Sequence, residues 1–302
     1  MTLASSFVFH LNPILDLQAM WQYQFMQHAF EAGTVIAILA GVTGYFVVLR
    51  RSAFVAHAFS DIGFAGAAGI VLVSQPPIEG LLGATTLAAL AIAALGRRAS
   101  NRDTQIGIVL AFSLGLGLLF INLYSGYAET AYSILFGDIV GISTSEVYLI
   151  LEACVLVFAV MAFLYRPLLF ASLDEDVAEA KGLPMLFLGT AFTIMVGVAV
   201  AFSVEVTGVL LIFSLMVTPA ATAAYLSRKP QRAILIAIAI ALVVTWSGLV
   251  ISFYTPYPTS FFIASEAFGL YLIVRFASGA LKYRIRSSAT TQTAETHSVS
   301  IE

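Results

Sequence analysis

One pair of side chains could carry chemistry inside an otherwise apolar segment, the stretch HAFSDIGFAG that runs from His57 to Gly66. His57 and Asp61 are four residues apart, so on a helix they share one face and lie about one turn from each other. An imidazole and a carboxylate suit divalent manganese, zinc or iron, and the motif has no thiol to favour a softer metal. The pair therefore predicts a site for a divalent transition metal.

The depth of this pair in its segment also favours a function. If the segment begins near Arg51, Asp61 lies roughly 15 Å into a hydrocarbon core about 30 Å thick. A charge at that depth is costly unless it is paired, hydrated or coordinated. Two alternatives stay open: a buried His–Asp hydrogen bond that only packs helices together, and a proton relay, because histidine titrates near neutral pH.

Composition places the pair in a membrane. Of the 302 residues, 60% are hydrophobic and 10% are charged, and the mean hydropathy is +0.96, which excludes an ordinary soluble domain. Apolar runs of about 17 to 22 residues are typical of α-helical spans and unlike the shorter alternating strands of an outer-membrane barrel. We predict an all-α, polytopic protein of the bacterial inner membrane, surrounded by membrane lipid and without a nucleic-acid partner.

The apolar runs define the elements that must position the pair. Nine spans are predicted, at 29–49, 55–74, 80–96, 105–124, 147–165, 185–203, 205–226, 233–254 and 260–280. Segment 132–142 is too short to cross and is predicted to be re-entrant or interfacial. Residues 1–28 form an extracytoplasmic or interfacial segment with no removable signal peptide, 29–281 the transmembrane domain, and 282–302 a disordered cytoplasmic tail. The single cysteine, Cys154, is expected to be a buried apolar residue.

The basic residues give an orientation. All 14 Lys and Arg residues follow odd-numbered spans and so fall on one side of the membrane. The positive-inside rule makes that side cytoplasmic, which places the N-terminus outside and the C-terminus inside. The sequence has no glycine-rich phosphate loop followed by lysine, so ATP hydrolysis is expected in another chain and this chain is not expected to be an enzyme.

The longest charged cytoplasmic loop is FASLDEDVAEAKGLP, from Phe170 to Pro184. Asp174 can cap a short helix whose first turn is acidic, Lys181 lies in its last turn, and Gly182 ends it. We expect this helix to dock a cytoplasmic partner, and a merely solvated loop is the alternative.

Other residues could line or gate a path. Small residues such as Gly63 and Gly66 allow either close helix packing or a narrow passage that opens and closes. Pro219 kinks its span or acts as a hinge, and Thr218 and Thr222 can satisfy the freed backbone groups. Glu205, at the outer edge of a span, attracts cations or snorkels to the interface. The candidate path residues are Ser60, Gly63, Gly66, Glu205, Thr218 and Pro219.

Five stretches in order resemble the permease subunit of zinc, manganese and iron ABC importers. They are FVVLRRSAFVAHAFSDIGFAGAAG, DTQIGIVLAFSLGLGLLF, YSILFGDIVGIS, LYRPLLFASLDEDVAEAKGLP and VTGVLLIFSLMVTPAATAAYLSRKP, which cover most of residues 45–230. Two departures occur in the second span. The family usually has A-x-S-H where this chain has His57 first and Asp61 second, and it often has Leu-Pro-Gly where this chain has Phe64, Ala65 and Gly66.

The resemblance implies a homodimeric or paired permease that sits on two cytoplasmic ATPase subunits, which bind the ATP. It implies a metal supplied by an extracytoplasmic metal-binding protein, with His57 and Asp61 on the metal path. The implied coupling helix comprises Leu173, Asp174, Glu175, Val177, Ala178, Ala180, Lys181 and Gly182. The divalent metal is then a transported substrate, and this chain needs no cofactor of its own.

The sequence thus predicts the transmembrane subunit of an ATP-driven importer that moves manganese, zinc or iron by alternating access. A proton-coupled secondary transporter and an ABC importer of a metal chelate or vitamin are the alternatives. An intramembrane enzyme would need a nucleophile, a His-Glu-x-x-His motif or facing aspartates, and the sequence shows none of these.

Overall fold

The computed structural model describes residues 20–94, 102–124, 133–137, 139 and 141–278. Nine helices in this part of the chain are long and apolar enough to cross a membrane, which confirms the all-α polytopic prediction. With one short helix, the elements are α1 Gln24–Leu49, α2 Ala53–Val71, α3 Pro77–Ala94, α4 Arg102–Leu123, α5 Thr144–Leu173, α6 Glu175–Ala180, α7 Met185–Thr207, α8 Val209–Leu226, α9 Pro230–Tyr254 and α10 Thr259–Ser278.

Helix α1 lies at the centre of the bundle and packs against α5, α7, α8 and α9. Helix α2 packs against α3 and α4 on one side and contacts α7 and α8 on another. Large apolar side chains such as Phe46, Phe59 and Phe64 are fully buried between these helices. Helices α4 and α10 are the most exposed of the nine spans, so the well-packed core surrounds α1, α2 and α7.

The two ends of the bundle differ, and α6 marks one of them. Helix α5 ends at Leu173 and is followed at once by α6 and then by the start of α7. Arg50, just before α2, donates to the Ser172 hydroxyl at 3.2 Å, so the start of α2 also lies at this α6 end. The starts of α5 and α8 lie at the opposite end, called the far end below. Every Lys and Arg in the described ranges belongs to the α6 end.

Two predicted boundaries need correction. Helix α7 continues to Thr207 and α8 begins at Val209, whereas a break at residue 204 was predicted. The turn lies at Gly208, where φ is +80° and ψ is 162°, a backbone conformation essentially restricted to glycine. Glu205 therefore lies in the last turn of α7 and does not open the following span. Helix α5 runs eight residues past its predicted end at 165 and contains Pro167.

Segment 132–142 does not cross the bundle. Its described part begins with a single helical turn over 133–136, followed by Gly137, whose φ is +77°. The Ser260 hydroxyl donates to the Phe136 carbonyl oxygen at 2.6 Å, which places the turn at the far end. Asp138, the first 19 residues and the predicted tail 282–302 lie outside the described residues.

Candidate metal site in the membrane span

The structure brings His57 and Asp61 together on α2. They are the fifth and ninth residues of this 19-residue helix, and His57 Nε2 lies 3.6 Å from Asp61 Oδ2. At about 1.5 Å per residue, Asp61 lies about 12 Å from the helix start, close to its midpoint. The pair thus shares one helix face, as its spacing predicts, and lies near the middle of α2.

The two side chains differ in exposure. The Asp61 side chain is 9% exposed and that of His57 is 41% exposed. The imidazole lies against the Phe213 ring of α8, with ring centroids 5.0 Å apart. His57 Nδ1 is buried and has no hydrogen-bond partner among the described residues. Nε2 is the nitrogen that lies toward Asp61. Because Nδ1 is buried, the Nε2 edge of the imidazole is the one that a ligand could reach.

The geometry fits one divalent ion. Ligand distances of about 2.0–2.2 Å at a tetrahedral angle separate two ligand atoms by roughly 3.4 Å, and the observed separation is 3.6 Å. A small side-chain rotation brings both atoms to one ion. Within the described ranges no three His, Cys, Asp or Glu residues lie close enough to hold a metal. His57 and Asp61 could supply two ligands, and a complete site would need ligands from elsewhere.

Ser60 lies beside the pair but is occupied locally. Its hydroxyl donates to the His57 carbonyl oxygen at 2.7 Å, and its side chain is fully buried. A serine bonded back to its own helix does not present a free ligand.

Gly63 and Gly66 lie on the other side of α2. At about 100° per residue they are roughly 140° to 160° around the helix from the His57–Asp61 face. A methyl group on Gly63 would meet Leu81 and Thr85, and one on Gly66 would overlap the Gly80 carbonyl oxygen, all on α3. This contact is the close packing that the sequence left open as the alternative to a passage.

Pro219 lies inside α8, as predicted. It removes the backbone donor that would bond the Leu215 carbonyl oxygen. The Thr222 hydroxyl donates to the Thr218 carbonyl oxygen at 2.7 Å, so it does not compensate the group that Pro219 frees. The helix continues through this point to Leu226.

The predicted coupling residues form one short element. The Asp174 carboxylate accepts the Val177 backbone N–H at 3.0 Å and caps α6, and Gly182 ends it with φ +78°. Ala178 is buried against residues of α5 and α7. Leu173, 63% exposed, and Val177, 42% exposed, present apolar surface at the α6 end. The remaining members, Glu175, Ala180 and Lys181, are exposed beside them.

A cavity of about 210 Å³ lies at the far end and contains two carboxylates. Glu205 of α7 and Glu146 of α5 both line it, together with Pro77 and Leu81 at the start of α3. Glu146 also caps α5, because its Oε2 accepts the Ser143 backbone N–H at 2.7 Å. Sequence reasoning missed Glu146 as a neighbour of Glu205, although the S-x-x-E capping pattern marked it as a helix start. It missed Phe213 too, which has no signal beyond being aromatic.

The fold matches that of a solved structure. The structure of PsaBC from Streptococcus pneumoniae in complex with Fab superposes on 86% of this chain and 94% of that chain, with a TM-score of 0.78 and 23% sequence identity. At that identity the similarity shows the fold.

Sequence relatives match over most of their length. A protein of Listeria innocua described as a manganese transport system membrane protein is 29% identical over 244 residues, which are 80% of this chain and 86% of the relative. A Buchnera aphidicola protein described as a high-affinity zinc uptake system membrane protein is 26% identical over 231 residues, 76% and 88% of the two chains. Residues 22–278 match a family described as the ABC 3 transport family. Because that match spans nearly the whole bundle, this membrane protein belongs to the ABC 3 transport family.

Proposed function

We propose that the chain is the transmembrane permease subunit of an ATP-driven importer for a divalent transition metal: manganese, zinc or iron. The observation that carries the proposal is the His57–Asp61 pair near the middle of α2, with ligand atoms 3.6 Å apart. Imidazole and carboxylate ligands suit these metals. The relatives described as manganese transport and zinc uptake proteins support the same substrate class.

The orientation follows from charge. The basic residues of the described ranges gather at the α6 end, so the positive-inside rule makes this the cytoplasmic side and the far end the extracytoplasmic side. The permease is then multi-pass, with its N-terminus outside and its C-terminus in the cytoplasm.

Two partners act on opposite ends. Cytoplasmic ATPase subunits dock on α6, because its exposed Val177 and the exposed Leu173 at the end of α5 offer apolar surface beside charged residues. An extracytoplasmic metal-binding protein delivers the ion to the far end, where Glu205 and Glu146 line a cavity. ATP is bound and hydrolysed by the docked subunits, and this chain supplies the path.

A second permease copy completes the metal site. The described residues of one copy bring two ligands together, and the exposed edge of His57 beside Phe213, itself 37% exposed, leaves the site open on one side. A matching pair from a second copy raises the number of ligands to four. Alternating access then exposes this site first to the far end and next to the α6 end. A site with few ligands, at an interface between two copies that moves, binds the ion and still releases it.

The test measures metal accumulation by mass spectrometry in cells that express the chain with its ATPase and binding-protein partners. We expect one divalent metal to rise with the native chain and to remain at background with His57→Ala/Asp61→Ala. The Glu152→Ala variant, which removes an exposed carboxylate of α5, is the matched control and keeps uptake. Full uptake by the double variant in an assembled complex contradicts the site assignment. Uptake that survives ATP depletion but stops with an ionophore indicates a proton-coupled transporter.

A further inference from the structure

A second feature lies on the outside of the bundle, away from the metal site. A groove of about 610 Å³ runs between α1, α5 and α9 in the half of the bundle toward the far end. Trp21, Tyr148 and Trp246 line it and are about half exposed or more. Val147 and Leu151 add apolar surface. Tryptophan and tyrosine prefer the level of lipid head groups, where one edge of the ring is apolar and the other polar.

One carboxylate enters this groove. Glu31 lines it and is exposed, and no other lining residue is charged. Helix α1 has 26 residues, so at about 1.5 Å per residue it exceeds a core of about 30 Å by roughly six residues. Glu31 is the eighth residue of α1, about 10 Å from the start of the helix, so with the excess at the far end it lies near the boundary between hydrocarbon and head groups.

Among the described residues, no Lys or Arg lies at the same end of the bundle as Glu31, and the one imidazole nearby, His28, contacts the Ile142 carbonyl oxygen and the Thr144 hydroxyl. All Lys and Arg residues in the described ranges lie at the α6 end, across the membrane from Glu31. A carboxylate that faces lipid is stabilised by a cation brought close to it. A Lys- or Arg-like cation that pairs with Glu31 would therefore have to come from outside the described residues.

The aromatic rings of the groove could also contact a cation that pairs with Glu31. The Trp246 indole N–H donates to the Thr34 hydroxyl at 2.9 Å, and this hydroxyl donates to the Phe30 carbonyl oxygen at 2.6 Å. These two bonds hold the indole on the helix face that also carries Glu31, three residues before Thr34. Aromatic ring faces attract ammonium groups, so the groove combines a carboxylate, oriented rings and an apolar floor.

We infer that this groove binds a phospholipid with a primary ammonium head group, phosphatidylethanolamine. The ammonium group pairs with Glu31 beside Trp246, and an acyl chain follows Val147 and Leu151. A primary ammonium donates hydrogen bonds to the carboxylate, which a quaternary choline cannot do. A lipid matches the position, since the groove opens toward the bilayer at head-group level.

The test is native mass spectrometry of the full chain in the assembly in which it is purified. The sample is exchanged into detergent with equal amounts of phosphatidylethanolamine and phosphatidylglycerol carrying the same acyl chains. We expect the ethanolamine lipid to be retained at least fivefold over the glycerol lipid. Glu31→Gln should bring this ratio close to one. Soluble phosphoethanolamine, which lacks acyl chains, should not displace the lipid.

Glu152→Gln is the matched control. Glu152 is the ninth residue of α5 and is also exposed, so it lies at a depth similar to that of Glu31, but it does not line the groove. This variant should keep the native lipid ratio. Equal retention of both lipids by the native chain overturns the inference, as does an unchanged ratio in Glu31→Gln that melts at the native temperature without added lipid. Displacement by soluble phosphoethanolamine also overturns it, because the site would then bind a free amine.

Discussion

A methyl group on Gly66 of α2 would overlap the carbonyl oxygen of Gly80 on α3, and a methyl group on Gly80 would overlap that of Gly66. The two backbones are therefore in direct contact, as small residues permit between membrane helices. This contact fixes one side of α2 against α3. The opposite side, which carries His57 and Asp61, is left toward α8.

Replacing Gly66 with alanine should destabilise the bundle by about 1–3 kcal/mol, the usual range for overpacking a tight contact. The measurement is thermal unfolding of the purified chain in detergent. Gly83→Ala is the control, because Gly83 lies on α3 with nothing within 4 Å of an added methyl group. Equal melting temperatures for the two variants would show that the helices separate easily at this point.

Replacing Gly208 with alanine should destabilise the chain more strongly. Its φ of +80° with ψ of 162° costs roughly 1–3 kcal/mol for a residue with a side chain. An added methyl group would also overlap the backbone of Gly137. Gly115→Ala, on the exposed helix α4 with nothing within 4 Å, should melt at the native temperature or above it. A Gly208→Ala chain as stable as Gly115→Ala would contradict the tight junction between α7 and α8.

The cap of α6 can be removed by a single change. Asp174→Ala deletes the acceptor of the Val177 N–H and should weaken this short helix by about 0.5–2 kcal/mol. We expect weaker binding of the ATPase subunits and lower ATP hydrolysis by the reconstituted complex. Asp174→Asn keeps a good capping group and should restore both. If alanine and asparagine behave alike, capping of α6 is not what holds the docked subunits.

Glu205 offers a test of the far-end cavity. Glu205→Gln removes one of the two carboxylates that line it while preserving shape. If the cavity attracts cations, uptake should fall several-fold at low external metal and recover at saturating metal, so KM rises and the maximal rate is unchanged. Glu152→Gln serves as the control for loss of one carboxylate elsewhere. A fall in the maximal rate with unchanged KM would place Glu205 in a later step.

Much of the fold follows from the sequence, because a bilayer demands long apolar helices whatever their packing. The nine spans and the Asp174 cap are local features, and the structure contains them. The junction near Glu205 was predicted incorrectly, since hydropathy continues across Val204 and only the conformation of Gly208 shows the turn. Apolarity likewise does not indicate that α5 passes Pro167 without ending.

Only part of the candidate site could likewise be predicted from the sequence. The face shared by His57 and Asp61 depends only on helical spacing, so it was predictable. The ring of Phe213 beside His57, and the meeting of Glu146 with Glu205 in one cavity, depend on how separate helices pack. The side of α2 occupied by Gly63 and Gly66 also required the position of α3. Spacing within one helix does not contain this information.

The length of helix α5 connects the two ends of the bundle. Its 30 residues span about 45 Å, well beyond a hydrocarbon core of about 30 Å. One end carries Glu146 in the far-end cavity, and the other leads directly into the cap of α6. Pro167 removes one backbone hydrogen bond of α5, but the helix continues to Leu173, so a single element joins the two ends of the bundle. If the ATPase subunits dock on α6 as proposed, a tilt imposed there would also displace Glu146 and with it a wall of the far-end cavity.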